Sequence, residues 1–222
     1  MPPFGLPSGP FIYPIIDTGI CHARRLDPEA LAAAYLEGGA GILQLRDKHG
    51  SSAAFLELAD RIVERAREHD AVVVVNDRAD IARLCGAAGV HVGQNDLAIP
   101  DVQRIVGLQC IIGVSTHDEP QIDEALASDA TYVAVGPVYG TTTKETGYTA
   151  RGLDLVRYAA DRGKPVVAIG GITLERAASV LEAGATGLAV ITDLLSGGDP
   201  GARTRELIAR VGVWSRPPGG TA

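Results

Sequence analysis

VVVVNDRADIARLCGAAGVHVG, residues 72–93, is the stretch on which the fold turns. Four consecutive valines form a β-branched run that reads as a buried strand, and Asn76-Asp77-Arg78 follow it. A helical segment near 79–86 comes next and closes on Gly86, a residue suited to the left-handed turn that ends many helices. Val90-His91-Val92 then opens a second strand, Gly89–Gly93. A strand, a short helix and another strand within so few residues is a parallel crossover unit.

The same cycle extends in both directions. Strand-like runs are read at Phe11–Asp17, Ile42–Asp47, Ala71–Asp77, Gly89–Gly93, Cys110–Thr116, Tyr132–Pro137, Pro165–Gly171 and Gly187–Thr192, which makes eight. Helices are expected near 27–39, 51–69, 79–86, 100–107, 118–127, 152–162, 173–184 and 202–211. Asp27 before Pro28, and Ser51-Ser52, are helix-start signals, and Thr173 with Arg176 is read as opening the seventh helix. Ala-Gly-Ala-type connections recur at Glu37–Gly41, Cys85–Gly89 and Ala183–Gly187, a structural device at the bottom of the fold. No GxGxxG follows the first strand, so a doubly wound dinucleotide fold is set aside. Eight β/α units in 222 residues leave no room for a second domain. The expected architecture is one α/β domain, a (β/α)8 TIM barrel over residues 11–212, with loose ends at 1–10 and 213–222.

Composition agrees. Hydrophobic residues are 46% and aromatics 5%, so the core is built from Val, Ile, Leu and Ala. The net charge of −7, without a basic stripe, argues against a broad nucleic-acid surface. No apolar run approaches the roughly 20 residues that span a bilayer, and the Pro- and Gly-rich start lacks the layout of a secretory signal. Three scattered cysteines without a CxxC pair read as reduced thiols, and the expected location is the cytoplasm.

In such a barrel, chemistry belongs at the C-terminal ends of the strands. Strand two ends Gln44-Leu45-Arg46-Asp47-Lys48, and a period of two places Gln44, Arg46 and Lys48 on one face. Those three are either a salt-bridged strand end or an anion clamp. Strands three and four end on Asp77 and Asp96, which either cap the following helices or form a Mg²⁺ site shared with substrate phosphates. Ser115 shares a face with Gly113 and Ile111 and points its hydroxyl into the mouth; His117 reads as a polar residue at a helix start. The segment 136–144, with Thr141, Thr142, Thr143 and Lys144, carries hydroxyl and amine donors suited to phosphate, and Gly140–Gly147 is the candidate lid. Glycines after strand seven and a small residue after strand eight are where these barrels bind phosphate.

The segments QLRDK (44–48), VNDRADIARLCGAAGVHVGQNDL (75–97), GVSTH (113–117), YVAVGPVYGTTTK (132–144), VVAIGGI (166–172) and GLAVIT (187–192) together resemble the thiamine phosphate synthase (thiamine-phosphate pyrophosphorylase) family, in its order and spacing. The resemblance covers residues 11 to 212. It implies a Mg²⁺-dependent transferase that joins hydroxymethylpyrimidine diphosphate to thiazole phosphate, giving thiamine phosphate and pyrophosphate. Carried over by position, Gln44, Arg46, Lys48, Asn76, Ser115 and Lys144 would hold the pyrimidine diphosphate, and Asp77 and Asp96 would ligate Mg²⁺. Arg46, Lys48, Ser115 and Lys144 would assist departure of pyrophosphate. Thr141, Thr142, Thr143, Gly171, Ile191 and Thr192 would bind the thiazole phosphate.

Three departures from the family pattern are modest, the first being the segment before Phe11, which matches nothing in it. The stretch after Lys144 lacks a further basic residue that some members carry, and Thr192 stands where Ser is common. Three rival readings are a thiazole tautomerase on the same barrel, a non-catalytic sensor of a thiamine precursor, and an isomerase of phosphorylated sugars. The complete clamp of Arg46, Lys48, Asp77, Asp96 and Lys144 favours the synthase, and no strand-end acid/base pair for a sugar isomerase is evident. The expected partners are small phosphorylated molecules, with a homo-oligomer left open.

Overall fold

The structure is a computed structural model that describes residues 5–140 and 149–213. Eight parallel strands close into a barrel in sequence order: β1 Phe11–Asp17, β2 Ile42–Arg46, β3 Val72–Asn76, β4 Gly89–Val92, β5 Ile111–Thr116, β6 Tyr132–Val135, β7 Val166–Ile169 and β8 Gly187–Val190. The ring is sealed by β1 against β8, with Phe11 opposite Gly187 and Pro14 opposite Val190. The helices are α1 Thr18–Arg24, α2 Pro28–Glu37, α3 Ser52–Glu68, α4 Ala79–Cys85, α5 Ile99–Val106, α6 Glu119–Ala127, α7 Gly152–Ala159, α8 Ala177–Glu182 and α9 Pro200–Gly212. Among the described residues, no helix is long and apolar enough to cross a membrane.

Successive side chains of a strand point to opposite faces, so the sheet divides the apolar residues into two cores. Ile12, Ile16, Leu43, Leu45, Val73 and Val75 face outward and pack under the helices. Phe11, Tyr13, Ile15, Ile42, Val74, Ile111, Tyr132 and Val167 fill the interior. Polar residues in phase with this inner set, such as Gln44, Asn76, His91 and Ser115, are therefore carried upward to the barrel mouth.

The strands stop one or two residues earlier than the sequence reading at several tops: β2 at Arg46, β6 at Val135, β7 at Ile169 and β8 at Val190. Beyond those points the chain leaves the ladder to form the loops of the mouth. Helix α1 is an element the sequence reading lacked; Asp17 caps it, accepting a hydrogen bond from the backbone N–H of Ile20 at 3.0 Å. Asp27 and Ser51 cap α2 and α3 as expected. The seventh expected helix, near 173–184, is regular only over Ala177–Glu182, and no side chain caps it, so Thr173 does not play that part.

Candidate active site

The eight strand tops surround an open cavity. One side is lined by Asp17, Gln44, Arg46, Asn76, His91 and Ser115, the opposite side by Gly170, Gly171, Ile191 and Thr192. Gln44, Asn76, His91 and Ser115 are buried, so their polar groups are costly unless partnered.

The basic clamp is built on β1 to β3. Arg46 forms an ion pair with Asp17, a buried carboxylate whose other oxygen caps α1. The Arg46 Nε is also buried and has no partner among the described residues, so Asp17 leaves part of the guanidinium fork unsatisfied. Thr18 donates to Asp47 at 3.0 Å, and Asp47 in turn accepts from the backbone N–H groups of His49 and Gly50. Helix α1 is thereby tied to the turn after β2. Lys48 stands at the rim, paired with Asp77.

Asp77 and Asp96 do not cap helices. The residue before α4 is Arg78 and the one before α5 is Ala98, and neither helix has a side-chain cap. Asp77 instead holds a left-handed backbone with φ of 62°, and Asp96 accepts from the Gly93 N–H at 2.8 Å. Burial pushes the Asp77 carboxyl up, the Lys48 ion pair pulls it down, and Asp96 beside it adds to the rise; the net direction is upward. Two neighbouring carboxylates, the second of which makes Asp77 costlier to ionise, suit a divalent cation. They form a pair: no group of three or more His, Cys, Asp or Glu residues suited to a metal occurs among the described residues. Mg²⁺ needs no more than that, since it takes one or two carboxylates and completes its shell with water and substrate phosphates.

Under the clamp runs a connected set of buried polar groups. Gln44 donates its amide N–H to the Tyr13 hydroxyl at 3.3 Å, and that hydroxyl lies 3.1 Å from the hydroxyl of Tyr132. Tyr132 Oη is 2.9 Å from His91 Nδ1, and His91 Nε2 is 2.8 Å from Ser115 Oγ. The His91 ring stacks on Tyr132 with centroids 5.7 Å apart. Burial pushes both tyrosine hydroxyls above their ordinary values, so each keeps its proton.

On the far side, Gly170 and Gly171 have φ of 100° and 63°. A Cβ on Gly171 would lie 2.8 Å from the Gly140 carbonyl oxygen and from Tyr139, so bare backbone forms that wall of the cavity. Tyr139 is fixed there by its N–H to the Gly170 carbonyl, by its hydroxyl against Ser179, and by the Arg176 guanidinium 4.4 Å over its ring. Asp118, not His117, caps α6; the His117 ring lines the cavity and its Nδ1–H donates to the Gly136 carbonyl at 2.6 Å.

The structure thus brings Gln44, Arg46, Asn76 and Ser115 to one wall, with Lys48, Asp77 and Asp96 on the rim beside it, and Gly171, Ile191 and Thr192 to the other wall. Thr141, Thr142, Thr143 and Lys144, with most of the candidate lid, lie outside the described residues. The sequence reading missed Asp17, His91, Tyr13 and Tyr132. The signal was present: Tyr13, Ile15 and Asp17 alternate inward on β1, and His91 is flanked by the outward Val90 and Val92.

The sequence profile of the thiamine monophosphate synthase family matches residues 12–194. A thiamine-phosphate synthase of Roseiflexus sp. (strain RS-1) is 40% identical over 209 residues, 93% of this chain and 88% of that protein. One of Mycobacterium sp. (strain KMS) is 44% identical over 195 residues, 83% of this chain and 86% of the relative. Among solved structures, a thiamine phosphate pyrophosphorylase from Pyrococcus furiosus superposes with a TM-score of 0.81 at 33% identity, covering 91% of this chain and 95% of its own. A 3-hexulose-6-phosphate synthase, 20% identical with a TM-score of 0.64, shares the barrel alone. The chain belongs to the thiamine monophosphate synthase family.

Proposed function

We propose that this chain is a thiamine-phosphate synthase that couples hydroxymethylpyrimidine diphosphate to thiazole phosphate and releases pyrophosphate, with Mg²⁺ as its cofactor. The observation that carries the reading is the two-walled mouth. A cationic and carboxylate-bearing wall (Arg46, Lys48, Asp77, Asp96) suits a metal-bound diphosphate, and a bare-backbone wall at Gly170-Gly171 with the Thr192 hydroxyl suits a monophosphate. The interior between them offers polar contacts for a heterocycle.

The residues' work follows from their chemistry. Arg46, oriented by Asp17, presents a planar fork of donors to the diphosphate, and Lys48 adds a mobile charge. Asp77 and Asp96 would hold Mg²⁺, which supplies neutralisation of the charge that grows on the departing pyrophosphate. Ser115, at the end of the buried polar chain, directs a hydroxyl to the same oxygens. Gln44 and Asn76 line the cavity on the pyrimidine side; from the family resemblance alone, Lys144 is assigned to the pyrimidine diphosphate and Thr141, Thr142 and Thr143 to the thiazole phosphate. The thiazole nitrogen is itself the nucleophile, so no enzymic nucleophile is required. Buried free thiols fit a reducing compartment, the cytoplasm.

The test mixes purified protein, both phosphorylated precursors and Mg²⁺ and follows thiamine phosphate and pyrophosphate. Equimolar, Mg²⁺-dependent appearance of both is expected. Turnover of the thiazole phosphate alone, without Mg²⁺ or the pyrimidine diphosphate, would move the chain to the tautomerase reading; binding without turnover would make it a sensor.

A further inference from the structure

The buried chain Gln44–Tyr13–Tyr132–His91–Ser115 has one consistent direction. Tyr13 accepts from the Gln44 amide N–H, and its own proton has one remaining acceptor among its contacts, the Tyr132 oxygen. The Tyr132 proton is then left for His91 Nδ1. A neutral imidazole that accepts at Nδ1 carries its proton on Nε2, and it donates that proton to Ser115 Oγ. With the opposite direction, the fully buried Tyr13 O–H would have no acceptor.

We propose that Tyr132, backed by Tyr13, is a positioning residue for the coupling reaction: it holds His91 as the Nε2–H tautomer, which makes Ser115 an acceptor from His91 and turns the serine proton outward to the oxygens of the departing diphosphate. The proposal rests on the assignment of Ser115 to the diphosphate. No proton leaves any member of the chain; each hydroxyl keeps its hydrogen, and only the direction of donation is fixed. Tyr132 lies at the bottom of the cavity, and its hydroxyl is engaged on both sides, by Tyr13 and by His91. Its effect therefore reaches the reacting oxygens through His91 and Ser115. A hydrogen bond that strengthens as charge develops on the leaving group acts on kcat more than on KM.

The experiment uses the full-length ¹⁵N-labelled protein without ligands. Long-range ¹H–¹⁵N correlation spectra show the five histidines, and the His91 signals are identified by their loss in His91→Asn. The expected pattern is a protonated Nε2 and an unprotonated, hydrogen-bonded Nδ1. In Tyr132→Phe the two nitrogen shifts move toward an average of tautomers, kcat falls about ten- to a hundredfold, and KM for the pyrimidine diphosphate changes less than about threefold. A protonated Nδ1 in the wild type overturns the proposal, and so does an unchanged kcat in Tyr132→Phe. Should Tyr132→Phe fail to fold, the wild-type spectrum decides on its own. Absence of coupling by the wild-type protein, whatever its tautomer, is instead the failure of the functional reading.

Discussion

Asp17 shows how one side chain can serve two elements. Its Oδ1 caps α1 and its Oδ2 pairs with Arg46, so substitutions separate the roles. Asp17→Ala removes the cap and leaves a half-buried guanidinium without its counter-charge, and a loss of about 2 kcal/mol in urea unfolding is expected. Asp17→Asn keeps a good capping oxygen and should recover about 1 kcal/mol of that. Equal stability of the two variants would mean that the cap contributes nothing. Asp77 and Asp96 invite a different pair of changes. Asp77→Asn and Asp96→Asn keep size and remove charge, and each is expected to cut Mg²⁺-dependent coupling about a hundredfold or more, with the far-UV circular dichroism unchanged. Full activity in both would remove the metal assignment. Both carboxylates were picked out from the sequence because each follows the end of an apolar strand, Asp77 directly after β3 and Asp96 in the loop after β4. Asp17 was not singled out, although it ends β1 in the same way, because the helix it caps has no hydrophobic periodicity to announce it.

At the scale of elements, the strands were the legible part. A strand buried on both faces is a short β-branched run, and Val72–Val75 or Val133–Val135 reads as little else. Their ends were read too long: the reading ran on through Pro137 and Gly170-Gly171, residue types that strands seldom hold, whereas β6 stops at Val135 and β7 at Ile169. The inward phase of the interior polar residues was legible, but their connection into one chain was not. His91 and Tyr132 are single letters inside apolar strands, and their meaning arises only when β4, β5 and β6 are adjacent in the closed ring. That adjacency makes Gly113 on β5 a sensitive position. A Cβ there would fall inside the ring of Tyr132, so Gly113→Ala must displace the tyrosine or bend the strand. An overpacking cost of about 1–3 kcal/mol is expected in denaturant unfolding, together with a loss of kcat like that of Tyr132→Phe. Unchanged stability and kcat in Gly113→Ala would show that the ring has room to move.

For the molecule as a whole, closing the barrel traps ionisable groups that carry no charge at neutral pH. Burial pushes the Cys21 and Cys110 thiols up to about 11 from 9.0, with Asp17 and Asp27 adding to the rise at Cys21. Burial raises Cys85 as well, and the Tyr13, Tyr35 and Tyr132 hydroxyls from 10.0. Each of these groups binds its proton more tightly folded than unfolded, so the unfolded chain ionises first as the pH climbs. Their stabilising contribution is complete below the unfolded values near 9 and 10 and is lost as the pH rises toward the folded ones. The urea midpoint should therefore be nearly level from pH 7 to pH 9 as far as these groups are concerned, and should drop steeply from pH 9 to pH 11. The thiols give an independent reading of the same burial, because alkylation requires the thiolate. At pH 8 all three cysteines should react slowly in the native protein and rapidly in urea, with native labelling of Cys21 and Cys110 accelerating only as the pH approaches 11. Fast native labelling at pH 8, with a midpoint that stays level to pH 11, would mean that the helical layer over β1, β3 and β5 opens far more readily than its packing indicates.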